Sequence, residues 1–98
     1  MNRKTQITHL IIKTIKEVIP NGDYKVFIFG SQANQEQLIN ADIDVGIESK
    51  ETIGQDIISK IKYNLNESSE SLFKFDVIDF SKVTDEFKHV AMKNIEVI

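Results

Sequence analysis

Two aspartates near the middle of the chain have a spacing that could support chemistry. Asp42 and Asp44 alternate with the apolar residues Ile43, Val45 and Ile47. Because residues two apart on a strand point to the same face, both carboxylates would emerge together while the apolar side chains enter the core. Neighbouring carboxylates repel each other unless a cation joins them, and such hard oxygen ligands suit Mg²⁺ or Mn²⁺. The pattern therefore predicts a divalent-metal site.

A third carboxylate from a neighbouring strand would complete a site for two metal ions, and the candidates are Asp76 and Asp79. They are three residues apart, so only one of them can face Asp42 and Asp44. Asp76 lies in mid-strand between apolar residues, where an acid without a purpose is costly. Asp79 lies near the strand end, where acids are common in turns. We therefore predict that Asp76 is the third ligand.

The pair Gly30-Ser31 lies where a short β-branched and aromatic run, residues 25–29, meets a predicted helix. Glycine lets a phosphate approach the backbone, and the N–H groups and hydroxyl at a helix start can hold its oxygens. Neither the Walker pattern nor the G-x-G-x-x-G fingerprint is present, which excludes a P-loop or a Rossmann site. Gly30 and Ser31 are thus predicted to contact phosphate.

In order and spacing, these residues resemble the polymerase-beta-type nucleotidyltransferase superfamily. Within it the chain is most similar to the minimal nucleotidyltransferases, the antitoxin partners of HEPN ribonuclease toxins. The family pattern is a strand, Gly-Ser, a ten-residue spacer, Asp-x-Asp, and a third Asp on a later strand. Gly30-Ser31, Asp42-Ile43-Asp44 and Asp76 match it, and the resemblance covers nearly the whole chain.

The resemblance implies transfer of a nucleoside monophosphate, AMP from ATP being expected, to a hydroxyl. In the family the acceptor is a Tyr of the cognate HEPN toxin, which makes the toxin the expected partner. By the same resemblance Asp42, Asp44 and Asp76 would hold two Mg²⁺ (or Mn²⁺) and act in catalysis, with Gly30 and Ser31 on the phosphates of the NTP.

The loop after Gly30-Ser31 departs from the family pattern at three positions. Asn34, Gln35 and Ala41 stand where the family often has Arg, Gly and Ser. Loss of the loop cation removes a potential phosphate contact. A second interpretation is therefore an antitoxin or binding module without catalysis that neutralises its partner by contact. A third class, a receiver or Toprim domain, would require a different first strand, with paired acids or a following Glu.

The spacing of apolar residues predicts the elements that position these side chains. Helices are predicted over residues 6–19, 32–38 and 51–65 and from Thr84 onward, strands over 25–29, 42–47 and 72–80, and a short strand or a frayed end over 94–98. The order predicts an α/β (α+β) fold, a small mixed sheet covered by helices, in a single domain over residues 1–98. We expect Phe73, Phe75, Phe80 and Phe87 in the core.

Composition excludes several classes of protein. With 98 residues, 41% hydrophobic and 28% charged, the chain has the composition of one soluble globular domain, too small to enclose a deep pocket without a partner. The net charge is −3 and Arg3 is the single arginine, so no direct nucleic-acid binding is expected. Cysteine is absent, which excludes thiolate metal sites and suits the cytoplasm. No apolar run is long enough to span a membrane.

Overall fold

The computed structural model describes residues 3–30, 42–68 and 74–98. Within these residues the chain forms three helices and four strands. In chain order they are α1 (Arg3–Val18), β1 (Tyr24–Phe29), β2 (Asp42–Ser49), α2 (Gln55–Ser68), β3 (Lys74–Asp79), α3 (Asp85–Ala91) and β4 (Ile95–Val97).

The four strands form one mixed sheet in the order β3-β2-β1-β4. β1 pairs antiparallel with both β2 and β4, whereas β2 pairs parallel with β3. A parallel pair needs a crossover connection, and α2 lies in the chain between β2 and β3. Because β1 runs opposite to these two strands, the end of β1 lies beside the start of β2 and close to the start of β3.

One face of the sheet is covered by α1 and α2. The buried positions of α1 recur every four residues and those of α2 every three or four, which is the period of an amphipathic helix. Together with the inward side chains of β1, β2 and β3 they form the larger core, whose fully buried members are Ile11, Ile15, Ile28, Ile43, Val45, Ile47, Ile61 and Leu65.

The other face carries a smaller aromatic cluster under α3. Phe27, Phe29 and Phe80 pack edge to face, with ring centroids 4.7 Å apart for Phe27 and Phe80 and 5.0 Å apart for Phe29 and Phe80. Phe87 of α3 contacts this cluster but remains 41% exposed, so its prediction as a core residue is wrong. A short amphipathic helix buries only part of a ring that lies at its margin. Phe75 and Phe80 are buried as predicted, and Phe73 lies outside the described residues.

The fold class is confirmed: a small mixed sheet covered by helices. The predicted helix over 32–38 and residues 72–73 of the predicted third strand lie outside the described residues. α2 begins at Gln55 rather than at residue 51, because Gly54 has φ +100° and breaks the helical backbone. The final segment does form a short strand, β4. Among the described residues no helix is both long enough and apolar enough to cross a membrane.

Candidate active site

The acids at the starts of β2 and β3 lie on one face of the sheet. The register of the two parallel strands places Asp42 beside Lys74 and Asp44 beside Asp76. Register partners in a sheet point their side chains to the same face, so the three carboxylates share the face opposite α1 and α2. Asp42 and Asp76 are exposed, and Asp44 is half-buried between them and β1.

The end of β1 borders this group of acids from the other side. Phe29 pairs with Asp44 across β1 and β2, and Gly30 follows directly. Gly30 has φ +83°, and a Cβ atom built on it would lie 2.9 Å from Oδ2 of Asp44, so a side chain there would have to displace the Asp44 carboxylate. Its N–H donates to the carbonyl of Asn94 at 3.1 Å. This N–H is therefore already engaged, and the predicted phosphate contact of Gly30 would depend on close approach of its backbone.

Ser31 lies outside the described residues, as do Asn34, Gln35 and Ala41. The expected contact of Ser31 with phosphate therefore remains a prediction. Of the five residues predicted to form the site, the structure brings together Gly30, Asp42, Asp44 and Asp76.

The electrostatic environment of Asp44 reflects its burial and the proximity of the two other carboxylates. Burial, the negative charge of Asp76 and that of Asp42 together raise the pKa of the Asp44 carboxyl above its ordinary value. All three causes penalise the ionised form, so a cation placed between the carboxylates would relieve the repulsion.

Asp76 already has two partners on one of its oxygens. Its Oδ1 accepts the backbone N–H of Val77 at 3.0 Å and lies 3.3 Å from Nζ of Lys62 in α2. The side chains of Lys62 and Asp76 are 52% and 51% exposed, so this ion pair is open to solvent and easily displaced. Neither contact uses Oδ2 of Asp76.

A cleft of about 450 Å³ contains the acids. Its lining residues come from the starts of β2 and β3 and from the last two turns of α2: Asp42, Asp44, Lys62, Asn66, Lys74, Phe75 and Asp76. Lys62, Asn66 and Lys74 are additions to the set predicted from sequence. Lys74 could have been found, because it lies two residues before Asp76 on the same strand. Lys62 and Asn66 could not, because nothing local indicates that α2 lies along β3.

Asp79 occupies a different environment. It is 6% exposed and lies on the opposite face of the sheet from Asp76. Its Oδ1 accepts the N–H of Ser81 at 2.9 Å and the hydroxyl of Ser81 at 2.6 Å, and its Oδ2 accepts the N–H of Ile53 at 3.1 Å. Burial opposes ionisation, but the hydrogen bonds from Ser81 and Ile53 and the charge of Lys82 outweigh it and lower the pKa of Asp79. Asp79 joins two loops, and Asp76 is the one that lies beside Asp44.

The chemistry of the three carboxylates suits a divalent cation, whereas their present positions do not form a complete metal site. Oxygen donors and mutual repulsion favour Mg²⁺ or Mn²⁺. Within residues 3–30, 42–68 and 74–98, however, no three acidic or histidine side chains are arranged to hold a metal ion as they stand. One oxygen of the third carboxylate, Oδ1 of Asp76, is already engaged by the N–H of Val77 and by Lys62.

Two larger clefts, of about 550 and 710 Å³, lie at the other end of the sheet, around Tyr24 and Ser49. Neither includes Asp42, Asp44 or Asp76 in its lining. Volume alone does not identify a site, and the smaller cleft is the one that contains the register partners Asp44 and Asp76.

Comparison with known families gives one match. The family model described as "Polymerase beta, Nucleotidyltransferase" matches residues 6–98, which is nearly the whole chain. Comparison with curated proteins gives no significant match.

Several solved structures share the fold. A chain of a toxin–antitoxin complex with AMP-PNP has a TM-score of 0.73 at 20% identity, with 91% of this chain and 69% of that chain covered. A complex of tri-AMPylated Shewanella oneidensis HEPN toxin with MNT antitoxin gives 0.73 at 17% identity, over 95% and 69%. The D39ED41E mutant of the MntA–HpeT toxin–antitoxin gives 0.71 at 18% identity, over 89% and 68%.

Proposed function

We propose that this chain, which belongs to the polymerase beta nucleotidyltransferase family, transfers AMP from ATP to a hydroxyl group of a HEPN-type toxin. By this reaction it would act as the antitoxin of a toxin–antitoxin pair. The expected acceptor hydroxyl is that of a tyrosine.

One observation carries this proposal: Asp44 and Asp76 are register partners on parallel strands, with the backbone of Gly30 against Asp44. Nucleotidyl transfer requires carboxylates that can hold metal ions and a stretch of backbone that a phosphate can approach closely. Here both lie on one open face of the sheet. The reaction is an in-line displacement at phosphorus, which depends on positioning and charge neutralisation more than on further side-chain chemistry.

The residues have separate roles in the proposed reaction. Asp42, Asp44 and Asp76 would hold Mg²⁺, which supplies charge neutralisation at the phosphates and favours ionisation of the attacking hydroxyl. Gly30 and Ser31 would contact the triphosphate. The acceptor oxygen forms a bond to the α-phosphorus, the bond from that phosphorus to the bridging oxygen breaks, and pyrophosphate leaves. Asp76, whose side chain is exposed, would accept the proton of the attacking hydroxyl.

The partner is proposed from the related structures and from the size of the chain. The neighbours are described as toxin–antitoxin complexes, one with AMP-PNP and one with a tri-AMPylated HEPN toxin. A cleft of about 450 Å³ at the surface leaves one side open for an acceptor carried by another protein. The absence of cysteine and the use of ATP favour a cytoplasmic location.

Transfer of label tests the proposal. The chain is incubated with its cognate toxin, Mg²⁺ and ATP labelled at the α- or the γ-phosphate, and the toxin is analysed by mass spectrometry. We expect the α-label alone to appear on the toxin, and Asp44→Asn to abolish it. Transfer of the γ-label, or equal α-label transfer by Asp44→Asn, would refute AMP transfer at this site.

A second candidate function is an antitoxin that acts by contact alone. Two observations favour it: Asn34 replaces the loop arginine, and Lys62 pairs with Asp76 where a metal would otherwise bind. Replacing Asp42, Asp44 and Asp76 together by Asn separates the two functions. Full neutralisation of the toxin by this variant would favour the second candidate, and loss of neutralisation with the complex still formed would favour the first.

A further inference from the structure

We infer that Asn66 is a positioning residue for the proposed metal site. Its side chain is hydrogen-bonded to the N–H and the carbonyl of Phe75 and thereby sets the orientation of Asp76. The inference rests on the proposed function and assigns a specific part of it to a residue of α2.

Among the four strands of the described residues, β3 lies at the edge of the sheet, with β2 on one side only. Backbone groups on the outer side of an edge strand need partners other than a neighbouring strand. At Phe75 the side-chain amide of Asn66 takes the place of that strand. Its Oδ1 accepts the Phe75 N–H at 2.9 Å, and its Nδ2 donates to the Phe75 carbonyl at 3.1 Å.

The same amide is also anchored to its own helix. Nδ2 of Asn66 donates to the carbonyl of Lys62 at 2.9 Å, one turn earlier in α2. The last turns of α2 and the start of β3 are thus joined through one side chain. The two peptide groups held by Asn66 flank the Cα of Phe75, and the second of them continues into Asp76.

Several contacts of Asp76 depend on this connection. With the Phe75 peptides fixed, Asp76 projects toward Asp44, and its Oδ1 reaches the Val77 N–H and Lys62 Nζ. Without Asn66, the outer side of Phe75 would lose its two hydrogen bonds to α2, although its side chain would still pack in the core. Residues that orient metal ligands typically contribute about 10- to 100-fold to metal affinity. We therefore expect Asn66 to affect metal binding although it does not contact the metal.

Hydrogen exchange and Mn²⁺ binding test the inference on the full-length chain. Asn66→Ala should speed exchange of the Phe75 amide and weaken Mn²⁺ binding about 10-fold, measured by electron paramagnetic resonance. Asn64→Ala, two residues earlier in α2, is the control and should change neither quantity. Thermal unfolding of each variant establishes that it is folded at the temperature of the binding experiment.

A double-mutant cycle separates positioning from general destabilisation. If Asn66 acts through Asp76, then Asn66→Ala should cause less than a twofold change in Mn²⁺ affinity when Asp76→Asn is already present. An equal loss with and without Asp76 would overturn the inference, as would unchanged Mn²⁺ affinity in Asn66→Ala. Should Asn66→Ala not fold, Asn66→Gln, which adds no charge and displaces the amide from the Phe75 backbone by one methylene group, provides the same comparison.

The result also distinguishes this inference from the proposed function. No Mn²⁺ binding by the wild-type chain would refute both. Mn²⁺ binding by the wild type that is lost in Asp44→Asn but unchanged in Asn66→Ala would support the proposed function and overturn the inference alone.

Discussion

Asp44 and Asp76 lie side by side on the parallel strands β2 and β3, with Asp44 half-buried and Asp42 on the same face. A stable fold gains nothing from this arrangement, because burial and the two neighbouring charges all raise the pKa of Asp44. Sites that act on phosphates through metal ions need neighbouring carboxylates, and proteins commonly lose some folding stability where such carboxylates are concentrated.

Replacement of Asp44 by Asn should therefore stabilise the protein while removing the proposed activity. The change eliminates repulsion with Asp42 and Asp76, so the melting temperature at pH 7 should rise. Label transfer to the toxin should fall by more than the roughly 100-fold that loss of a residue merely supporting a metal ligand can cost. Thermal unfolding and the α-label assay are the measurements.

Asp23→Asn is the matched control for this experiment, since Asp23 is exposed at the other end of the sheet. It should leave the melting temperature and the label transfer close to those of the wild type. A lower melting temperature in Asp44→Asn would contradict the electrostatic argument even if activity were lost.

Addition of Mg²⁺ should raise the melting temperature of the wild type and not that of Asp44→Asn. A ligand that binds only the folded chain stabilises it by about 2.7 kcal/mol at a concentration of 100 Kd. Differential scanning fluorimetry over a Mg²⁺ series, with Ca²⁺ as a second hard cation, provides the measurement. An equal rise in both proteins would place the bound ion away from Asp44.

Asp44 and Asp79 should affect the pH dependence of stability in opposite directions. A raised pKa means that the folded state holds the proton more tightly than the unfolded state, so the contribution of Asp44 falls as pH rises through the range above the ordinary carboxyl pKa. Asp79 has a lowered pKa, so its contribution is present above the ordinary value and is lost as pH falls below it.

Asp79→Asn should consequently destabilise the protein at pH 7 and do so less at pH 3. Loss of the charge weakens the hydrogen bonds from Ser81 and Ile53, with an expected cost of about 2 kcal/mol at neutral pH. Urea unfolding at the two pH values measures it. The control is Asp56→Asn, an exposed acid in the first turn of α2, for which we expect a smaller change at pH 7. A cost that is equal at both pH values would indicate that packing, not charge, is responsible.

Sequence reasoning predicted the fold well where local pattern decides structure. The alternation in residues 42–47 identified β2 and its polar face, because strand geometry sends alternate residues to opposite faces. The choice of Asp76 over Asp79 as the acid facing Asp44 agrees with the register of β2 and β3. Both inferences needed only the period of the strand and the cost of burying an unpaired acid.

Contacts between distant elements could not be predicted in the same way. The contacts of Lys62 and Asn66 at the start of β3 depend on how α2 lies along the sheet edge, which no local pattern encodes. Phe87 was expected in the core from its hydrophobicity, but its exposure depends on how much of the sheet a short α3 covers. The engagement of the Gly30 N–H by Asn94 similarly joins two segments far apart in sequence.

A comparison of Gly30→Ala with Gly54→Ala tests whether the site requires close approach of the Gly30 backbone to Asp44. Both glycines have a positive φ, +83° and +100°, and in both a Cβ atom would meet a carboxylate oxygen, of Asp44 at 2.9 Å and of Asp56 at 3.0 Å. Each substitution should lower the free energy of unfolding by about 1–2 kcal/mol, since alanine is strained in the left-handed region. The carboxylates affected are different, however.

Only Gly30→Ala should displace the Asp44 carboxylate and weaken Mn²⁺ and nucleotide binding, because Asp56 lies in α2 away from the cleft. Urea unfolding measures the shared cost, and titrations with Mn²⁺ and with AMP-PNP measure the difference. Equal losses of binding in the two variants would assign the effect to lowered stability. Loss in Gly30→Ala alone would support close approach of the Gly30 backbone as a requirement of the site.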